Sequence, residues 1–112
     1  MPDCLFCKIV ARQIPAQLVF EDAAAIAFKD INPQAPTHVL VVPKKHVDSL
    51  SATTDEDAAM LGQVQRAAVA VAGKLNLSSF RLVTNNGRGA GQSVDHLHYH
   101  LMGGRPMQWP PG

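Results

Sequence analysis

At 112 residues and 12.0 kDa the chain has room for one domain, read here as 1–112 with a Gly/Pro-rich tail over 103–112. Hydrophobic residues make up 46% and charged residues 17%, enough apolar material for a core, which excludes wholesale disorder. Ten Lys and Arg against nine Asp and Glu leave +1, so no global field points to nucleic acid or to an anionic membrane, and neither is expected as a partner. The longest apolar runs, residues 23–28 and 67–72, are six long, whereas a spanning helix needs about 18. The opening Met1-Pro2-Asp3-Cys4 has neither a basic nor an apolar region of the kind that directs export, and two cysteines make no disulfide framework. A cytoplasmic protein with reduced thiols is expected.

From Cys4 to Arg12 the pattern predicts a short helix with Phe6, Ile9 and Val10 apolar, closing before Pro15. Leu18–Glu21 and Ala25–Lys29 are short apolar runs separated by Asp22-Ala23-Ala24, which reads as a hairpin. A loop with two prolines follows, then residues 38–43 (His-Val-Leu-Val-Val-Pro), β-branched and nearly all apolar, as in a strand covered on both faces. The one long helix starts at Thr53 or Thr54, with Glu56 or Asp57 three residues on in a capping-box pattern. Leu61, Val64, Ala68, Val71 and Leu75 carry its apolar stripe, and Gly73-Lys74 lies near its end. Residues 80–84 read as a strand, 85–91 as a glycine-rich turn, and 96–102 as a last strand. The sum is α+β: about five strands in a mainly antiparallel sheet, one long helix and one short one.

The chemistry lies in the histidines. His96, His98 and His100 alternate with Leu97, Tyr99 and Leu101, so on a strand the imidazoles share one face and the apolar side chains the other. Burial explains the second face only. A solvent-facing polar row is the plainest reading, but three groups that titrate near neutrality are a poor choice for solubility. Two sharper readings are a catalytic zinc on the His-x-His row and an imidazole nucleophile assisted by its neighbours. Upstream, residues 85–91 hold three glycines, whose backbone can approach an anion closely, and Gln92 and Ser93 are neutral hydrogen-bond donors. A phosphate beside a row of histidines favours the nucleophile, and with it phosphoryl or nucleotidyl transfer.

Gln92-Ser93-Val94-x-His96-x-His98-x-His100-x-x-Gly-Gly-Arg resembles the motif of the histidine triad (HIT) nucleotide-binding proteins, His-φ-His-φ-His-φ-φ with φ apolar. The likeness runs from Phe6 to Gly112 and takes in Phe28-Lys-Asp-Ile-Asn-Pro-Gln-Ala-Pro-Thr-His38 and Val42-Pro-Lys-Lys-His46. The closing Trp109-Pro-Pro-Gly is similar to the HinT-type branch of purine nucleoside phosphoramidases. The resemblance implies that His98 attacks the α-phosphorus, forms a nucleotidyl-histidine and displaces an amine, and that water then releases the nucleoside monophosphate. His38 and His100 would flank the phosphate, with the choice of proton carrier open. Gln92 and Ser93 would hydrogen-bond phosphate and leaving group, Asp30 would take the ribose hydroxyls, and Asn85 would support the phosphate side. Phe6, Phe28 and Ile31 fall where the family builds its base pocket, although Phe6 and Phe28 read equally well as core aromatics and Asp30 as a turn residue before Asn32-Pro33. By the same likeness Trp109 reaches the partner's substrate in a two-fold homodimer that joins the sheets. His100, where the transferase branch usually has Gln, points to hydrolysis.

Cys4-Leu-Phe-Cys7 places two thiols on one side of a helical turn. Some members of the family hold structural zinc with such a pair, and the resemblance then names His46 and His96 as the other ligands; burial of two small apolar thiols is the alternative. The reading is thus a zinc-containing hydrolase of adenosine or guanosine 5′-phosphoramidates, with a dinucleoside polyphosphate hydrolase and a nucleotide-binding interaction module as alternatives. Lys29 and Gln108 depart from the family, which often has histidine at both places.

Overall fold

The computed structural model describes residues 3–112; Met1 and Pro2, which bear on the expected lack of an export segment, lie outside them. Helices α1 (Leu5–Val10) and α2 (Ala58–Lys74) accompany strands β1 (Leu18–Glu21), β2 (Ala25–Lys29), β3 (Thr37–Pro43), β4 (Arg81–Val83) and β5 (Tyr99–Gly103). The strands form one sheet in the order β1-β2-β3-β5-β4, every neighbouring pair antiparallel. No helix among the described residues is long and apolar enough to cross a membrane.

The two faces of the sheet carry separate apolar clusters, and strand alternation decides which residue joins which. Ala25, Ala27, Val39, Val41, Leu97, Tyr99 and Leu101 face α2, whose Val64, Ala67, Ala68, Val71 and Ala72 pack against them. Alanines on both sides let helix and sheet approach closely. Ile26, Phe28, Leu40 and Val42 point the other way, onto Phe6 and Ile9 of α1. That β3 is buried along nearly its whole length follows from this double covering.

Asp57 decides the start of α2. Its Oδ2 accepts the backbone N–H of Thr54 at 2.9 Å and Oδ1 takes Lys45 Nζ at 2.6 Å, so a 3-10 turn over Asp55–Asp57 precedes the helix proper. The Lys45 ammonium, with the Thr54 N–H, holds that carboxyl below its usual range. At its other end the helix runs through Gly73 and closes on Asn76, left-handed at φ 59°, as Leu77 N–H donates to Ala72 O at 2.8 Å. Arg12, at φ 62°, ends α1 in the same way, with Gln13 N–H on Lys8 O at 2.8 Å. Helix α1 has only six residues, far below the roughly 12–15 at which an isolated helix holds together, so its packing and its first turn keep it in place.

Candidate functional site

The last strand begins at Tyr99, three residues later than the alternating pattern suggests. Ahead of it the chain is held by other bonds: Leu97 N–H donates to Val47 O at 2.8 Å, and the Thr84 hydroxyl donates to His98 O at 2.8 Å. The alternation survives, since Leu97, Tyr99 and Leu101 enter the α2 core. The histidine face is not solvated, however. His96 is 0% exposed and His98 4%, which removes the reading of a polar surface row. His96 turns to the two cysteines and His46, whereas His98 and His100 group with His38.

Hydrogen-bond partners assign the tautomers of this second group. The backbone N–H of Gln34 donates to His38 Nδ1 at 2.9 Å, which puts the His38 ring proton on Nε2. That N–H donates to His100 Nδ1 at 2.9 Å, so the His100 proton sits on its own Nε2. His98 is opposite in hand: its Nδ1–H donates to His96 O at 2.7 Å and leaves Nε2 as a bare lone pair. Burial pushes the His98 pKa down, against the opposing pull of the His96 carbonyl and Asp30. Burial also lowers that of His100, with His98 and His38 adding to it against the pull of Asp30, to about 4. His98 and His100 are therefore neutral at pH 7.

Asp30 does two things at once. Its Oδ1 accepts Asn32 N–H at 2.8 Å, the turn role, while Oδ2 stands 3.3 Å from His38 Nε2 and 3.9 Å from His100 Nδ1. It lines a hollow of about 480 Å³ with Phe6, Ile9, Phe28, Ile31 and Leu40, within the size range of small-molecule sites. Phe6 and Phe28 are buried and pack edge to face at 5.4 Å, so both are core residues and walls of the hollow; Ile31 is 100% exposed at its rim. A second groove holds His38, His100 and Asn85 with tail residues such as Gln108 and Pro110. Trp109 itself is 81% exposed, and Ser93 lines a third hollow beside Cys4, His46 and Asp48. Neither makes a hydrogen bond to a histidine among the described residues.

Gln92 departs from expectation. It is 4% exposed, and its whole amide is engaged by the protein: Oε1 accepts Gly87 N–H at 2.8 Å, and Nε2 donates to Asp48 O at 2.6 Å and Val94 O at 3.0 Å. The N–H groups of Ala90, Gly91 and Gln92 also turn back onto carbonyls of this loop. Gly87 (φ 90°) and Gly91 (φ 99°) are needed for the left-handed backbone that permits this. The glycine turn is thus a braced connector rather than a row of free donors. Sequence pattern does not mark Thr84 or Gln34, which act on and through the backbone, whereas the two-residue spacing of His46 and Asp48 is a signal for that pair.

The second constellation is complete. One ligand atom from each of Cys4, Cys7, His46 and His96 lies within 4.8 Å of all the others. Cys4 Sγ and Cys7 Sγ are 3.4 and 3.6 Å from His96 Nδ1, Cys7 Sγ is 3.3 Å from His46 Nδ1, and the two Nδ1 atoms are 3.1 Å apart. A tetrahedral metal with bonds of about 2.3 Å to sulfur and 2.0–2.1 Å to nitrogen would set sulfur and nitrogen about 3.5 Å apart and two nitrogens about 3.3 Å apart. The far side of each ring is also as a metal needs it: His46 Nε2–H donates to Asp48 Oδ1 at 2.8 Å and His96 Nε2–H to Pro43 O at 2.8 Å. Burial lowers the His96 pKa, which keeps that ring neutral, and raises that of the Cys7 thiol. The residues fit a closed four-ligand site.

Comparison with known proteins finds relatives along nearly the whole chain. A protein of Synechocystis described only as an uncharacterized HIT-like protein is 55% identical over 111 residues, covering 98% of this chain and 97% of that one. The crystal structure of a HIT family hydrolase from Legionella pneumophila superposes with a TM-score of 0.96 at 49% identity, covering 98% and 100% of the two chains. A histidine triad protein from Clostridium difficile gives a TM-score of 0.92 at 40% identity over 96% of each chain. Residues 11–107 match the HIT domain, and the chain belongs to that family.

Proposed function

We propose that this protein is a nucleotidyl hydrolase that cleaves purine nucleoside 5′-phosphoramidates at the P–N bond through a covalent nucleotidyl-His98. One observation carries the reading: the Nδ1–H of His98 is fixed on His96 O at 2.7 Å, so a neutral, buried imidazole holds a free Nε2 lone pair. In this reading Nε2 bonds to the α-phosphorus, the P–N bond breaks, and the amine takes a proton from solvent. Water then attacks the same phosphorus, His98 Nε2 leaves, and a proton returns to solvent, giving the monophosphate and the free enzyme. His100 supplies the donor to the phosphate oxygens, because its Nε2–H is what remains once Nδ1 has accepted from His38. The lowered pKa of His100 makes that donor a neutral one at pH 7.

In this reading Asp30 Oδ2, which lines the apolar hollow and stands 3.3 Å from His38 Nε2, accepts ribose hydroxyls, with the base between Phe6, Phe28 and Ile31. Asn85 and Ser93 remain for the phosphate and leaving group, and Gln92 acts on them through the loop that it braces. Zinc on Cys4, Cys7, His46 and His96 would be structural, since four protein ligands leave no open position. A homodimer is consistent with β4 as an exposed sheet edge and with the exposed apolar Phe80, Val69 and Trp109. Phosphorus NMR of the protein with adenosine 5′-phosphoramidate and, separately, a diadenosine polyphosphate tests the substrate class. Faster cleavage of the P–N compound is expected; faster cleavage of the anhydride gives the polyphosphate reading the lead.

A further inference from the structure

We propose that Cys4, Cys7, His46 and His96 are positioning residues for the nucleotide site: a metal on these four holds α1, and with it the Phe6 wall and the His96–His98 turn, in the geometry that binds nucleotide. The inference rests on the nucleotide-hydrolase reading of the histidine site, and it gives the cysteine–histidine cluster a part in the reaction beyond stability.

Three lines of contact leave the cluster. The first runs through α1. Cys4 caps the helix, accepting Cys7 N–H on its sulfur at 3.4 Å, and Cys7 lies one turn on. Phe6 sits between them in sequence, and its ring stands edge-on to His98 at 5.1 Å and to Phe28 at 5.4 Å. Leu5, Phe6 and Ile9 of this helix line the base hollow. Because six residues cannot hold a helix unaided, fixing the two sulfurs is a direct way to fix that wall.

The second line is His96 itself. Its Nδ1 faces the two sulfurs, while its carbonyl accepts the Nδ1–H that sets the His98 tautomer. A backbone shift at this residue that draws its ring from the cluster also moves the acceptor on which the nucleophile depends. The third line is Asp48, whose carboxylate orients His46 and whose carbonyl accepts from Gln92, the brace of the 85–91 loop. The nucleophile thus bonds a ligand directly, the base wall is next to one in sequence, and the 85–91 loop is tied to one through Asp48 and Gln92. Two imidazole lone pairs set 3.1 Å apart repel unless a metal or a proton lies between them, so a metal bound there favours this geometry.

The test compares zinc-loaded protein, protein stripped with a chelator, and Asp48→Asn, reading the AMP dissociation constant by calorimetry and the His98 tautomer by nitrogen-15 NMR. Stripping is expected to weaken AMP binding by about tenfold or more and to turn the single His98 tautomer into a mixture, both reversed by added zinc. Asp48→Asn is expected to need about 10–100-fold more zinc for the same recovery, and to bind AMP as the parent protein does once zinc saturates. Stripped protein that stays folded by circular dichroism, binds AMP as tightly and keeps the Nδ1–H tautomer overturns the proposal. If stripping unfolds the chain, cadmium replaces zinc: its larger radius should shift α1 and change the AMP affinity and the His98 signal, and identical values for both metals overturn the proposal. Failure of the hydrolase reading shows separately, as zinc-loaded protein that turns over no phosphoramidate, while the tautomer measurement still reports on the coupling.

Discussion

Replacing Gln92 by alanine separates two roles that the sequence could not tell apart, a contact to phosphate and a brace for the loop. The side chain is buried and makes three hydrogen bonds, to Gly87, Asp48 and Val94. At roughly 0.5–1.5 kcal/mol each, and with partners that water can reach once the amide is gone, the loss comes to about 3 kcal/mol. For a chain of this length that lowers the melting temperature by roughly 10–15 °C. Urea and thermal melts read the change, with Gln92→Glu as the companion. The carboxylate still accepts from Gly87 but turns an oxygen toward the carbonyls of Asp48 and Val94, which raises its pKa. At pH 7 its deficit should therefore equal or exceed that of alanine, and it should shrink against wild type as the pH falls toward 5 and the acid gains a proton to donate. An alanine variant within about 0.5 kcal/mol of wild type whose turnover has fallen more than tenfold would refute the bracing role and return Gln92 to the phosphate.

Other expectations follow from the same geometry. With His100 at about 4 in the fold and about 6.5 when unfolded, the unfolded chain binds the extra proton, so stability is full above pH 6.5 and falls as the pH drops toward 4. His100→Asn should remove up to about 3 kcal/mol of that slope in urea titrations at pH 4.5 and 7, and an unchanged slope would contradict the burial of a neutral ring. Leu101→Ala, in the α2-facing core, should cost about 2–5 kcal/mol and leave AMP affinity in the folded fraction unchanged, whereas Phe6→Ala should lose both stability and affinity. Asp30→Asn should weaken AMP binding by about tenfold or more and 2′-deoxy-AMP binding by less; an equal loss on the two would remove Asp30 from the ribose.

Much of the fold is visible in the chain because local chemistry and final packing agree. The apolar run of β3, the alternation through β5, the stripe of α2 and the hairpin before β3 depend on patterns and turn residues that the tertiary structure leaves in force. The misplaced boundaries have identifiable causes. His96–His98 read as strand, but their backbone bonds to Val47 and Thr84 instead of a ladder; α2 proper starts only at Ala58, because the capping box of Thr54 and Asp57 closes a 3-10 turn first. In the site, the residue types at each place are legible, as is the pairing of the cysteines with His46 and His96 that the family likeness suggested. What pattern alone does not give is the direction of each proton. The choice of His98 as the ring with a bare Nε2 rests on two backbone groups, the Gln34 N–H and the His96 carbonyl, and backbone groups are the same at every position.

Trapping tests the central claim most directly. The protein and a His98→Ala variant are each mixed with radiolabelled adenosine 5′-phosphoramidate and quenched within milliseconds, and protein-bound label is then counted. Label on the wild type alone, lost in acid and kept in alkali as a phosphorus–nitrogen bond behaves, is the predicted result. Nucleotide release by the alanine variant at the wild-type rate would contradict it, because among His38, His98 and His100 the one lone pair that the hydrogen bonds leave free would then not be the one that reacts.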